Sequence, residues 1–269
     1  MNKNELVARF TSDEDEKILL CRVLDKYNSE ENGGYMTSTV FLTDRQQILA
    51  ERLLSYLSVP RDRILFDGGY DGASRKVLSF LPEYLNAEDV SEGELSPIAF
   101  VRASYYKDYS LTHRDFLGAL TGDGVSREGL GDILVNDSEH FADIIVSRSL
   151  LNYMTDIFNK AGRASISVTE IKRGELFIPE QKTELIKDTV ASLRLDGVVS
   201  AALGMSRDNA ATAVSKGLVE LNHFPCSKGE KQLSEGDAVS VRGVGKFILE
   251  KVGGISKKGR IFIEIKRFL

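Results

Sequence analysis

Apolar positions recur at helical spacing over 13–27, where Ile18, Leu19, Val23 and Leu24 form an inward stripe on an otherwise acidic segment. The run STVFL at 38–42 predicts a short strand. It feeds a helix capped by Thr43 or Asp44, with Ile48, Leu49, Leu53 and Leu54 inward. RILFDGGYDGASRKVLSFL, at 63–81, reads as two strands around a turn, because Asp67-Gly68-Gly69 supplies residues that tolerate positive φ. NAEDVSEGELSP, at 86–97, is acidic and short of large apolar residues, which predicts a linker.

Beyond it the pattern becomes regular. PIAFVRASY (97–105), GDILV (131–135), HFADIIVS (140–147) and the alternating stretch 164–171 predict four strands. A helix starts at Thr112, reciprocated by Asp115, with Phe116, Leu117 and Leu120 buried. A second spans 150–160, with Leu151, Met154, Ile157 and Phe158 inward. The succession β-α-β-β-α-β is that of the ferredoxin-like arrangement shared by RNA-recognition domains. These strands lack the aromatic signature that stacks bases, so the succession alone leaves RNA binding open.

After Phe177 to Pro179 two short helices and a small antiparallel sheet are predicted. Leu195, Val198, Val199 and Ala202 line one face of the first helix, with Arg194 at its border and Asp196 on the far side. Gly204 ends it and Ser206 caps the next, whose Ala210, Ala211, Ala213 and Val214 permit close helix packing before Gly217 stops it. Strands follow at 218–222 and 235–243, then from Lys246 and from Gly259, the last two joined by the basic turn SKKGR. The expected class is therefore α+β in three segments: 1–90, 91–177 and 178–269.

Charge sharpens the picture. The chain of 269 residues has a net charge of −5, which argues against a protein that coats nucleic acid nonspecifically. From 178 to the end, however, 15 Lys and Arg stand against 11 Asp and Glu, a balance of +4 that leaves −9 for the rest. Such segregation suits a polyanion-facing module on acidic domains. Arg207 lies in the first turn of its helix, where a cation opposes the helix dipole at a cost of about 0.3–1 kcal/mol. A bound phosphate reverses that sign, while a pairing with Asp196 or Asp208 is the plainer alternative. Lys257, Lys258 and Arg260 at a hairpin tip are further phosphate candidates or simply a solvated charge run.

Several segments carry a family likeness. RLD (194–196), SR (206–207), KGLVELN (216–222) and EGD (235–237) resemble the alpha-L RNA-binding domain, named after the fourth small-subunit ribosomal protein. The resemblance implies a cationic helix-pair surface that docks on structured RNA, with Arg194, Arg207 and Lys216 upon it. LTHRDFLGALTGDGVSREGLGDILV (111–135), FLTDRQQ and FDGGYDGASRKVL resemble the YlmH family, so that the likeness covers essentially the whole chain. It implies a cytoplasmic RNA-binding protein that meets rRNA, tRNA and the large ribosomal subunit during rescue of obstructed translation; a monomer is expected. His113, Arg114 and Arg127 match family positions and are secondary RNA-contact candidates.

An enzyme is not expected. Asp196 sits in a small helical module without a cleft, although RLD is similar to the catalytic motif of pseudouridine synthases, which carry the same appended domain. GDG at 122–124 lacks the third glycine of a dinucleotide loop. His113, His140 and His223 are scattered, and Cys21 and Cys226 have no ligand spacing, so neither a metal nor a cofactor is expected. No apolar run reaches the roughly 20 residues of a membrane span. The rival reading is an adaptor acting in cell division through protein contacts of its acidic N-terminal domains.

Overall fold

The computed structural model describes residues 2–269 and divides the chain between Pro179 and Glu180 into two compact units. The first contains both of the leading segments expected from the sequence. Helices α1 (Lys3–Val7), α2 (Glu14–Gly33) and α3 (Asp44–Tyr56) accompany strands β1 (Thr37–Leu42), β2 (Ile64–Asp67) and β3 (Lys76–Phe80). The strands form an antiparallel sheet in the order β1-β3-β2. Thr43 caps α3 in a reciprocal box with Gln46. Ile18 is 51% exposed, contrary to the inward position expected of it, because the buried stripe of α2 runs through Leu19, Leu20, Val23 and Leu24 instead. The expected linker holds a short helix, α4 (Ala87–Glu92), capped by Asn86 and anchored by the buried Val90.

The second sheet of this unit contains β4 (Ile98–Tyr105), β5 (Leu130–Asn136), β6 (Phe141–Ser147), β7 (Lys160–Ala161) and β8 (Ala164–Ile171), in the order β5-β6-β4-β8-β7. Helices α5 (His113–Gly122) and α6 (Leu151–Asp156) supply Phe116, Leu120 and Met154 to one face, against Val101, Ile144 and Val146. The α6 helix is shorter than its periodicity suggests. It ends at Asp156, the chain turns to make β7, and Ile157 is left 62% exposed while Phe158 stays buried.

The opposite face of that sheet is covered in part. Phe41 from β1 and Val77 from β3 pack on Ile98, Phe100 and Ile145, with Tyr70 and Leu176 at the margin. Two glycines make the contact possible. A Cβ on Gly69, whose φ is +93°, would lie 2.6 Å from the Phe100 ring, and one on Gly131 would lie 2.8 Å from Phe41. Polar fasteners surround this apolar layer. Arg75 donates to the carbonyls of Leu130 and Arg127, at 2.7 Å each, and of Phe41 at 3.4 Å. Arg173 donates to both oxygens of the buried Asp67, at 2.9 and 2.5 Å. Arg102 does the same to Asp143, at 2.7 Å twice, while lying 4.1 Å from the Phe141 ring centroid.

The second unit is built on β9 (Thr183–Val190), β10 (Val219–Leu221), β11 (Phe224–Pro225), β12 (Ala238–Val241), β13 (Gly245–Ile255) and β14 (Ile261–Phe268). They form one antiparallel sheet in the order β11-β10-β12-β13-β14-β9. Strand β9 is an addition to the sequence reading: its alternation is muted by exposed charges, and only its register along the whole of β14 reveals it. Helices α7 (Leu195–Leu203) and α8 (Arg207–Ser215) cover one face, burying Val198, Val199, Ala202, Ala210 and Val214 against Val239, Phe247, Leu249, Ile263 and Ile265. Ala211 is exposed, so the α8 contact stripe is narrower than expected. Among the described residues no helix is long and apolar enough to cross a membrane.

Candidate nucleic-acid interface

The helix pair owes its geometry to local signals. Gly204 ends α7 at φ +64°, and Ser206 accepts from Asn209 N at 3.2 Å to start α8 two residues later. So short a connection sets the start of α8 beside the end of α7, and the long Arg207 side chain reaches back to the first turn of α7. An ideal Cβ on Gly197 would lie 3.5 Å from the Arg207 guanidinium. Arg194, at the N-cap position of α7, donates from Nε and Nη2 to the two Asp196 oxygens at 3.1 and 2.5 Å. The Arg194 side chain is still 45% exposed, and Arg207 is exposed as well.

Asp196 thus stands between two arginines. Its carboxyl is held below the usual 3.8, first by the hydrogen bond from Arg194, against a burial effect that raises it, and further by the charges of Arg194 and Arg207. A lowered carboxyl contributes stability above 3.8, and that contribution is lost as pH falls through the depressed value. At neutral pH the carboxylate therefore stays ionised and keeps the Arg194 fork in one orientation. Two of the five guanidinium donors face Asp196, and the remainder are open to a further acceptor.

The loop before β12 reaches the same place. Leu195 N donates to Lys231 O at 2.8 Å and Asp196 N to Gly229 O at 3.1 Å, while Arg194 pairs with Gln232 as an isolated bridge. The first amides of α7 are thereby occupied, and the exposed Lys228 and Lys231 join the arginine end of the helix pair. Sequence reasoning passed over both lysines. Their only signal was the run SKGEK, and nothing local ties that run to Arg194.

The other expected residues lie elsewhere. Lys216 is at the C-terminal end of α8, roughly 13 Å of helix from Arg207 at 1.5 Å per residue. Lys257 and Lys258 are exposed at the β13–β14 turn. Arg260 is turned back on the sheet, where Nε donates to Thr189 Oγ1 at 2.9 Å and Nη2 to the Thr189 carbonyl. In the first unit Arg114 is exposed on α5, along a groove lined by Gly118, Gly122 and Lys160.

His113 and Arg127 belong to a different neighbourhood, around Asp132. Asp132 accepts from Tyr70 OH at 2.9 Å and Ser74 N at 2.8 Å, so two stretches with family likeness converge there. Burial raises the Tyr70 phenol well above its ordinary value, and the Asp132 charge adds to it, so the hydroxyl remains a donor. Desolvation lowers the His113 pKa from 6.5; Asp132 raises it and Arg127 lowers it. The neutral ring is thus favoured by folding, an advantage retained above 6.5 and lost as pH falls through the lowered value. An NMR titration of His113 is expected to give a midpoint below 6.5, moving upward in Arg127→Ala and further down in Asp132→Asn. Shifts of opposite sign would mean that these neighbours do not act through charge. Among the described residues no group of three or more His, Cys, Asp or Glu is placed to hold a metal ion.

The family model described as "Putative RNA-binding domain in YlmH" matches residues 97–175. Over 253 residues the chain is 34% identical to Ribosome-associated protein quality control protein P2 of Bacillus subtilis (strain 168), covering 94% of this chain and 95% of that one. Among solved structures, the cell division protein ylmH from Streptococcus pneumoniae is 21% identical, with a TM-score of 0.48 over 61% of this chain and 96% of its own. On near-complete alignment with its Bacillus relative, and on the matching domain within it, the chain belongs to the YlmH family.

Proposed function

We propose that this chain is a non-enzymatic RNA-binding protein that docks on structured rRNA and tRNA of the large ribosomal subunit and acts in ribosome-associated quality control. In this reading α7, α8 and the sheet beneath them form an alpha-L module, and the arginine end of the helix pair is its main grip. The carrying observation is that Arg194 and Arg207 flank one ionised carboxylate while remaining open to solvent. Asp196 orients the guanidinium before RNA arrives, which reduces the ordering that binding requires. Phosphate oxygens then meet planar donors backed by Lys231. The ribosome enters through the Bacillus relative, whose name states that association. The cytoplasm is the corresponding place of action.

For the first unit, Phe41 and Val77 cover the Phe100 and Ile145 part of the sheet face on which an RNA-recognition sheet stacks bases, while Ser104, Ser167 and Thr169 on the same face stay exposed. The exposed helix and loop residues Arg114, His113 and Arg127 are the contact candidates in this unit.

The test is co-sedimentation with purified large subunits. Arg194→Ala/Arg207→Ala is expected to lower the bound fraction at least tenfold, since losing a charged hydrogen-bonding pair removes about 1.5–3 kcal/mol per contact. Equal sedimentation of wild type and the double variant would refute the helix-pair assignment.

A further inference from the structure

Strands β9, β14 and β13 have a second face, turned away from α7 and α8. In the register, Phe262 lies opposite Thr189, Lys266 between Leu185 and Ile248, and Phe268 opposite Lys246. Cross-strand partners share a face, and the alternate positions Ile263, Ile265, Leu249 and Phe247 are the buried ones. The outer face is therefore made of lysines interleaved with aromatic and aliphatic side chains. Phe262 is 50% exposed and Leu185 53%. Lys246 Nζ lies 5.4 Å from the Phe268 ring centroid. Two acids temper the charge: Glu264, paired with Lys187 at 3.2 Å, and the bulge residue Glu250 beside Lys251. Lys257 and Lys258 extend the cationic surface past Phe262 into the hairpin turn.

An open sheet face normally carries polar residues at its outward positions. Here the rings are separated by lysines, so no continuous apolar patch forms of the kind that buries a protein partner. Rings for bases and cations for phosphates are the combination that engages unpaired nucleic acid.

We propose that this outer face binds an unpaired segment of RNA, with bases stacked on Phe262 and Phe268 and phosphates following Lys246, Lys251 and Lys266. The two rings are six residues apart on β14, roughly 20 Å along the strand. The proposal rests on the RNA-binding reading above and adds a second, single-stranded contact to it. With the helix pair on one side of the sheet and this face on the other, one small unit joins two RNA elements.

The experiment uses the full chain and a fluorescein-labelled oligouridine of about 12 nucleotides, within the site sizes of single-strand binders. Phe262→Ser and Lys251→Gln/Lys266→Gln are each expected to weaken anisotropy-detected binding about tenfold, as loss of one stacked base does. Both variants should keep the wild-type thermal midpoint, which separates lost contact from lost fold. Arg194→Ala/Arg207→Ala should retain oligouridine affinity while losing large-subunit sedimentation. Wild type that does not bind oligouridine, or variants that bind it unchanged, overturn the proposal and leave the face to a protein partner. Loss of oligouridine binding in the arginine variant instead overturns it in favour of the helices. If the arginine variant still sediments while Phe262→Ser loses oligouridine, the helix-pair reading fails and this one stands.

Discussion

Asp143→Ala is expected to destabilise the first unit by about 3–5 kcal/mol, the cost of removing one partner from a buried ion pair. Asp143 is 0% exposed and accepts from Arg102 Nε, Arg102 Nη2 and Phe177 N, each at 2.7 Å. With alanine there, the guanidinium keeps Glu175 O and the Phe141 ring but loses its counter-charge, and the Phe177 amide loses its acceptor. For a unit of this size the midpoint should fall by about 6–20 °C in a far-UV circular dichroism melt. Asp143→Asn retains an acceptor and the side-chain shape, so it should lose less. Glu128→Gln is the contrast: its 3.6 Å pair with Arg22 is exposed on both sides and should matter by less than about 1 kcal/mol. Equal melts for Asp143→Ala and Glu128→Gln would mean that water replaces the carboxylate and that the pair holds nothing.

Affinity for structured RNA is expected to fall about fortyfold between about 50 and 200 mM monovalent salt. Each phosphate neutralised by a cation contributes about −0.9 to the slope of log affinity against log salt on a duplex. Arg194, Arg207 and Lys231 together then give a slope of about −2.7. The arginine double variant should retain about −0.9, one cation's worth. This separates phosphate contacts from apolar docking, whose affinity is nearly indifferent to salt in that range. Filter binding of wild type and double variant across the titration measures both slopes. Parallel lines would show that the arginines do not meet phosphate, whatever the absolute affinities. The modest net charge of −5 sharpens the test, since a general cationic attraction cannot supply the dependence.

Much of the helix pair was legible without coordinates. Gly204, Ser206 and Gly217 act on their own backbone, so their terminating and capping roles follow from residue type and position. Arg194 and Arg207 could be placed at helix starts for the same reason. The same method misplaced Ile157 and Ile18, because periodicity does not say where a helix ends or which part of a stripe finds cover. It also left Asp196 apart from Arg194, although side chains two positions apart meet readily when the first is still at the non-helical cap.

Residue pattern alone determined much of the local layer of this protein: most of the strand and helix succession, though not α4 or β9, the caps, the glycine stops, and a basic C-terminal segment following an acidic one. Tertiary structure decided that Phe41 and Val77 cover part of one face of the second sheet, that Lys231 joins Arg194, and that lysines and rings of β9, β13 and β14 share one open face. The reason is physical. Caps and periodicity are set by neighbours a few residues away, whereas burial and shared faces depend on the register of strands distant in the chain, which no single segment encodes.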